Sequence, residues 1–309
     1  MRFKHQSVRD LAWAVSSPPL ISQPDNRSAD QCLWPDRFWF QQAYDETLST
    51  LKDTDKNPAK LDGLLASQKD RRLGKYFETL WLYWFSVHPR YKIIANNLQI
   101  IIDGETLGEI DFIILDKTTG LTVHWEVAVK FYLGVGDTLQ MYNWHGPNLR
   151  DRLDIKVSHL INRQSKLSRN ERVQQWLQEK SITVDKCAVI LKGRLYYPWQ
   201  YKNISTEATS IQSISPEKCA LQHEYSWWLT RSQFDSEVAG SEQMIALLNK
   251  GWLERISTGS VKEFDTKNTI YQNEFKKILR FPVHVQLCNA RHSKDRVFLT
   301  DDNWPVKKT

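Results

Sequence analysis

Two apolar segments that carry acidic residues decide the fold of this chain. They are Gly108–Ile114, with the sequence GEIDFII, and His124–Lys130, with the sequence HWEVAVK. Their alternation of side-chain types predicts the two strands of a β-hairpin. Carboxylates such as Asp111 and Glu126 are costly to bury in a strand unless they are paired or bound to a cation. The hairpin is therefore the best candidate for a site of chemistry.

The register of the hairpin follows from its loop. Residues 116–121 have the composition of a hairpin loop in which Gly120 supplies a positive φ. If the two ends of this loop face each other, Asp111 faces Glu126, with Cβ atoms roughly 4.5–5.5 Å apart. These carboxylates would repel each other, and a divalent cation between them would turn that cost into binding energy. The alternative is a solvent-facing hairpin of mixed charge, held together by Lys130.

Three further polar residues share the faces of this pair. Glu109 lies on the face of Asp111, and His124 and Lys130 lie on the face of Glu126. The hairpin therefore brings together several side chains that can bind a cation or carry a charge.

The composition indicates a folded, globular protein. The chain has 309 residues, enough for one large domain or two ordinary ones, with 41% hydrophobic and 25% charged residues. It contains no apolar run that would span a bilayer, and its first residues lack the apolar core of a signal peptide. We expect a cytoplasmic protein without a membrane partner. The net charge of +6 is compatible with a polyanionic partner.

The cysteines and tryptophans carry weaker signals. Four cysteines without a CxxC pair suit reduced core thiols better than disulfides or a zinc site. Most of the thirteen tryptophans should be core. The adjacent Trp227 and Trp228 are either core residues or a stacking surface for bases, and the Trp-rich C-terminal region could also contact a protein partner.

The order of predicted elements is that of an α/β protein. Helices are predicted over residues 6–15, 38–51, 58–68, 71–87 and 148–167, and strands over 91–102 and 185–191 besides the hairpin. After a polar stretch at 200–215, a helix is predicted near 241–256, with strands near 282–287 and 296–300. We expect three regions, namely a helical N-terminal extension over 1–69, a core over 70–200, and an α+β region over 216–309.

On two predicted helices, polar residues allow two interpretations each. Glu78 lies at the edge of the apolar stripe of the 71–87 helix, either on the surface beside Lys75 or aimed at a site beside the sheet. The 148–167 helix carries a basic stripe, which is either a solvated face or a ridge that contacts phosphates. The stripe consists of Arg152, Lys156, His159, Arg163 and Lys166.

The sequence lacks the motifs of several other kinds of catalytic or nucleotide-binding site. The sequence has no GxxxxGK[ST] phosphate loop, no GxGxxG, no GxSxG and no HExxH. No two histidines have a helical metal-ligand spacing. Nucleophilic cysteine or serine catalysis therefore has no support.

Set in order, three segments resemble the PD-(D/E)XK phosphodiesterase superfamily over about residues 70–200. They are the helix start Leu73–Glu78, the strand Gly108–Asp111 and the strand His124–Lys130. The resemblance implies a restriction-endonuclease-like core, with a mixed central sheet flanked by helices.

Most of the chain is more closely similar to a bacterial family of unknown function assigned to that superfamily. The segments that carry this closer similarity are Asp10–Trp13, Ser17–Leu20, Gly146–Asn148 and Asp151–Leu153.

The resemblance implies a metal-dependent nuclease that hydrolyses DNA or RNA. Asp111 and Glu126 would hold Mg²⁺ or Mn²⁺, and Glu78 would bind a second metal or a metal-bound water. Lys130 would position the water or the phosphate. Contacts with backbone phosphate would come from Gln164 and the basic stripe (Arg152, Lys156, Arg163 and Lys166).

One position departs from the superfamily pattern. The expected lysine stands two residues after the acid, where this chain has Ala128. Lys130 keeps the same face but lies roughly 6.6 Å further along the strand. Two alternatives follow: a nuclease-like domain that has lost catalysis and binds nucleic acid or a protein, and an enzyme that acts on a small phosphate- or carbonyl-containing molecule.

Overall fold

Helices flank a large mixed sheet, so the fold is of the mixed α/β class. The computed structural model describes residues 3–23, 32–202, 211–237, 243–246, 253, 264–265, 282–288 and 296–305. The chain divides into two compact units. The first comprises residues 1–129 and 156–192, and the second comprises residues 130–155 and 193–309.

The first unit begins with the predicted helices. They are α1 (Gln6–Ser16), α2 (Arg37–Lys56), α3 (Ala59–Ala66) and α4 (Leu73–Val87). The predicted apolar stripe of α4 is confirmed, because Phe77, Trp81 and Trp84 are fully buried. The rings of Trp81 and Trp84 meet edge to face with centroids 5.2 Å apart. This packing fixes the rotation of α4 and so sets the direction of its polar side chains.

The predicted meander follows α4 and has the predicted register. Its strands are β2 (Tyr91–Ile102), β3 (Glu105–Asp116) and β4 (Thr122–Gly134), and all neighbours are antiparallel. The pairs between β3 and β4 run from Leu115↔Thr122 to Phe112↔Trp125. Gly120 in the connecting loop has a φ of +73°.

A disulfide corrects the expectation of reduced thiols. The short strand β1 (Cys32–Leu33) pairs in parallel with β6 (Lys186–Pro198), and Cys32 lies opposite Cys187. Their Cα atoms are 4.6 Å apart and their sulfurs are bonded. A sequence separation of 155 residues leaves no local spacing signal, and only strand pairing brings the two cysteines together.

The predicted 148–167 helix is wrong in its bounds. The helix α5 covers only Leu153–Asn162, and a 3₁₀ helix follows over Gln164–Arg169. Leu149 has a φ of +58°, which excludes it from a right-handed helix, and Arg163 leaves helical geometry at φ −125° and ψ −67°. The basic stripe therefore does not lie on one continuous helix.

The sequence analysis did not predict the helix that follows α5 and the 3₁₀ helix. The helix α6 (Glu171–Glu179) begins at Asn170, whose side chain accepts the backbone N–H groups of Arg172 and Val173. Its residues Val173 and Leu177 pack into a core that includes Ile100 and Ile113 of the meander.

The second unit contains strands and a helix that the sequence prediction missed. The strand β5 (Trp144–His145) pairs with the end of β4, and β7 (Tyr225–Thr230) leads into α7 (Arg231–Glu237). The predicted C-terminal strands are confirmed as β10 (Val283–Cys288) and β11 (Arg296–Thr300). Trp227 and Trp228 are buried, which excludes them as a stacking surface for bases.

The predicted helix near residues 241–256 is wrong where the structure describes it. The segment Gln243–Ala246 forms the strand β8, which pairs with β10 and with β9 (Phe264–Asp265). A short apolar run cannot distinguish a strand from a helix, and pairing with β10 decides for the strand. Residues 241–242, 247–252 and 254–256 of this prediction lie outside the described residues. Among the described helices, none has the length and apolar character that crossing a membrane requires.

Candidate metal centre

Asp111 and Glu126 lie just beyond the last ladder pair between β3 and β4. Continuing the register by one residue places them opposite each other. Asp111 Oδ2 accepts the backbone N–H of Val127 at 2.9 Å, and the backbone N–H of Asp111 acts to lower the pKa of the Glu126 carboxyl. The Asp111 carboxyl therefore binds an amide of the facing strand.

Glu126 is fully buried and belongs to a chain of hydrogen bonds. Its Oε1 lies 2.8 Å from His124 Nε2, and its Oε2 accepts the Gln164 side-chain amide at 2.6 Å. Lys156 Nζ donates to Gln164 Oε1 at 2.9 Å, and His124 Nδ1 lies 2.9 Å from Ser168 Oγ. The burial of His124 and Glu126 excludes the alternative of a solvent-facing hairpin.

A second group of side chains surrounds Lys75 on α4. Its ammonium group donates to Glu78 Oε2 at 2.6 Å, to Glu109 Oε1 at 3.2 Å and to Asn97 Oδ1 at 3.2 Å. The negative charges of Glu78 and Glu126 both act on Asp111. Glu78 thus pairs with Lys75, and its charge also acts on Asp111, so Lys75 and Glu78 belong to the same arrangement as the hairpin carboxylates.

Burial changes the protonation of this cluster. Desolvation, and next the charge of Glu126, raise the pKa of Asp111 well above its usual range. Desolvation raises the pKa of Glu126 to about 8, although the charge of Lys156 opposes this, and it also raises the pKa of Glu78 against the effect of Lys75. Desolvation lowers the pKa of His124 to about 4, so its ring is neutral at pH 7. Glu126 therefore holds a proton at pH 7 that a bound cation would displace.

The donor chemistry of the cluster suits a hard divalent cation. Carboxylate oxygens are the ligands that Mg²⁺ and Mn²⁺ prefer, and among the described residues no hydrogen bond engages Asp111 Oδ1. Within the described parts of the chain, however, no three His, Cys, Asp or Glu side chains are grouped closely enough to hold a metal ion. Asp111 and Glu126 thus offer oxygen ligands of the right kind, and a third protein ligand would have to move toward the cation.

Two of the predicted site residues, Lys130 and Arg152, lie in the second unit, and each forms an ion pair. Lys130 Nζ donates to Asp151 Oδ2 at 2.5 Å. Arg152 binds Asp154 through two hydrogen bonds of 2.6 and 2.9 Å.

The other members of the predicted basic stripe lie in the first unit in different surroundings. Lys156 belongs to the hydrogen-bond chain of Glu126. Arg163 and Lys166 are exposed and make no ion pair with a described residue. His159 of the stripe is exposed as well, so these three residues keep the exposure that a phosphate contact needs.

Sequence reasoning missed the roles of Lys75, Asn97 and Ser168. The helical spacing of three between Lys75 and Glu78 was the available signal for the first of these. Asn97 and Ser168 enter through tertiary packing, for which the sequence has no local signal.

The described residues define a mixed α/β protein with an acidic cluster around the buried Glu126, next to the last pair between two strands of a meander. The model of a domain family of unknown function, DUF1853, matches residues 9–298, and the chain belongs to this family. No curated protein and no solved structure matches the chain.

Proposed function

We propose that this protein is a metal-dependent phosphodiesterase that hydrolyses DNA or RNA, built on a restriction-endonuclease-like core. The observation that carries the proposal is the pair of Asp111 and Glu126 on facing strands, with Glu126 fully buried and Asp111 partly buried. Removing two such neighbouring groups from water is unfavourable for folding. Proteins keep such arrangements most often where the site has a function.

Asp111 and Glu126 would hold Mg²⁺ or Mn²⁺, and Glu78 would hold a second ion or a coordinated water. When bound, the cation lowers the pKa of a coordinated water and stabilises the charge of the phosphate. In the hydrolysis, the water oxygen bonds to phosphorus while the bond from phosphorus to the leaving oxygen breaks. The water loses one proton and the leaving oxygen gains one.

His124 and Gln164 orient the Glu126 carboxyl in this proposal. Each engages one of its two oxygens, and such contacts behind a ligand fix its direction. Lys156 in turn holds Gln164. These residues support the site in this proposal.

A nuclease-like domain that binds nucleic acid or a protein without cleaving is the second candidate. It is favoured by Ala128, which stands where the superfamily lysine is expected, and by the engagement of Lys130 with Asp151. Exposed Arg163 and Lys166 serve either function.

Calorimetric titration with Mn²⁺ tests the proposal directly. Wild type should bind Mn²⁺, and Asp111→Asn should lose most of this binding without unfolding. Asp103→Asn is the matched control, because Asp103 is an exposed carboxylate whose partner is Arg172. Cleavage of labelled single- and double-stranded DNA and RNA is then followed with Mn²⁺ present. Absence of Mn²⁺ binding in wild type would reject the metal centre, whereas binding without cleavage would favour the second candidate.

A further inference from the structure

The solvent-exposed side of the acidic cluster is occupied by Lys75. Side-chain exposure increases from 1% for Glu126 through 16% for Glu78 to 28% for Lys75 and 36% for Glu109. A substrate that enters from solvent meets Lys75 and Glu109 before it reaches Glu126.

The position of Lys75 is set by packing. Phe77 and Trp81 anchor α4 against the core, and the Lys75 carbonyl accepts the Thr79 hydroxyl at 2.7 Å. Its ammonium group then spans from Glu78 on α4 to Glu109 on β3. It is thus held by two elements, beside the strand that carries Asp111.

Binding of an anionic phosphate beside the acidic cluster requires a positive charge there. The cluster contains four carboxyl groups, and a phosphodiester that approaches it is repelled unless cations compensate. The superfamily pattern would supply a lysine at position 128, where this chain has alanine. Lys130 is engaged by Asp151.

We propose that Lys75 supplies the ammonium group that contacts the scissile phosphate or the attacking water at this site. The assignment depends on the proposed phosphodiesterase function and names the residue that takes the role expected of a strand lysine. On substrate binding, Lys75 exchanges one of its contacts with Glu109 or Asn97 for a phosphate oxygen and keeps its contact with Glu78. Its three donors allow both contacts at once.

The test compares Lys75→Met and Lys75→Arg with wild type. The matched control is Lys56→Met, because Lys56 also pairs with an acid three residues away, Asp53, but lies exposed on α2. The measurements are kcat and KM for cleavage with Mn²⁺, the Mn²⁺ dissociation constant by calorimetry, and the melting temperature.

Lys75→Met should lower kcat about 100-fold, in the range for loss of one positioned charged group. It should bind Mn²⁺ about threefold more tightly, because a positive charge is removed from the carboxylates. A purely structural lysine would instead weaken metal binding along with folding. Lys75→Arg should recover part of kcat, and Lys56→Met should match wild type.

Lys130→Met tests the competing assignment. If wild type cleaves, and Lys130→Met loses kcat while Lys75→Met retains it, the assignment of Lys75 is wrong and the phosphodiesterase function stands. Loss of Mn²⁺ binding together with kcat in Lys75→Met would also overturn the assignment. If wild type neither binds Mn²⁺ nor cleaves, the proposed function fails and the assignment falls with it.

Discussion

The side-chain amide of Gln164 donates a hydrogen bond to Glu126 Oε2 across 2.6 Å, although the two residues are 38 positions apart. This bond joins the 3₁₀ helix after α5 to the strand that carries the central carboxylate. It exists because α5 ends at Asn162 and the chain changes its helical geometry there. The end of α5, which interrupts the basic stripe, thus also places Gln164 within hydrogen-bonding distance of Glu126.

Replacement of Gln164 by alanine should destabilise the first unit. The change leaves a buried oxygen of Glu126 without its donor, which costs roughly 1–3 kcal/mol. The unfolding free energy is measured by urea denaturation, with Gln178→Ala on the exposed side of α6 as control. Equal stabilities of the two variants would show that the bond contributes nothing.

The stability of the protein should depend on pH through Glu126. Burial raises the folded-state pKa of Glu126 from 4.5 to about 8, so the folded protein keeps a proton that the unfolded chain has released. The favourable contribution is complete below pH 4.5 and is lost as pH rises through 8. Glu126→Gln removes this term, so its stability relative to wild type should increase between pH 5 and pH 8. Denaturation of both proteins at several pH values checks this, with Glu179→Gln as control, and a constant difference would contradict it.

Charge reversal at Arg163 and Lys166 should weaken binding to nucleic acid. Both side chains are exposed, so Arg163→Glu with Lys166→Glu should leave the melting temperature unchanged. The slope of log affinity against log salt should decrease by about 1 for each lost phosphate contact. Fluorescence anisotropy with labelled DNA and RNA measures both quantities. The double reversal Lys52→Glu with Lys60→Glu, on exposed positions of α2 and α3, is the control, and equal affinities would exclude this surface.

Removal of the disulfide should destabilise the protein. Cys32 and Cys187 close a loop of 155 residues, and cross-links of this kind contribute about 2–4 kcal/mol. Cys32→Ser with Cys187→Ser should therefore unfold at a lower urea concentration than wild type under non-reducing conditions. Mass spectrometry of a non-reduced digest should recover the two cysteine peptides joined. Separate peptides in that digest would contradict the bond.

The local pattern of the sequence was sufficient for the hairpin and its register. Alternation identified the faces, and Gly120 specified the loop, so the opposition of Asp111 and Glu126 followed by counting. The apolar stripe of α4 was equally predictable, because its helical spacing repeats over about four turns. Local rules succeed at such elements since each depends on residues that are near in sequence.

The pattern was insufficient where long-range pairing decides the conformation. Gln243–Ala246 is a strand because β10 offers it a partner, and Cys32 meets Cys187 because β1 and β6 pair. The basic stripe failed for a related reason, since the left-handed conformation of Leu149 and the departure at Arg163 shorten the helix from both ends.

By itself the sequence determined which side chains make up the acidic cluster, that is, the acidic residues of the hairpin and Glu78 on the helix that precedes it. Only the tertiary structure decided their environment. Burial raises the pKa of Asp111, Glu126 and Glu78. Gln164 and His124 engage Glu126, and Lys75 lies on the exposed side of the cluster. The physical reason is that charge and hydrogen-bonding capacity belong to single residues, whereas desolvation and the distance between charges depend on how distant segments pack.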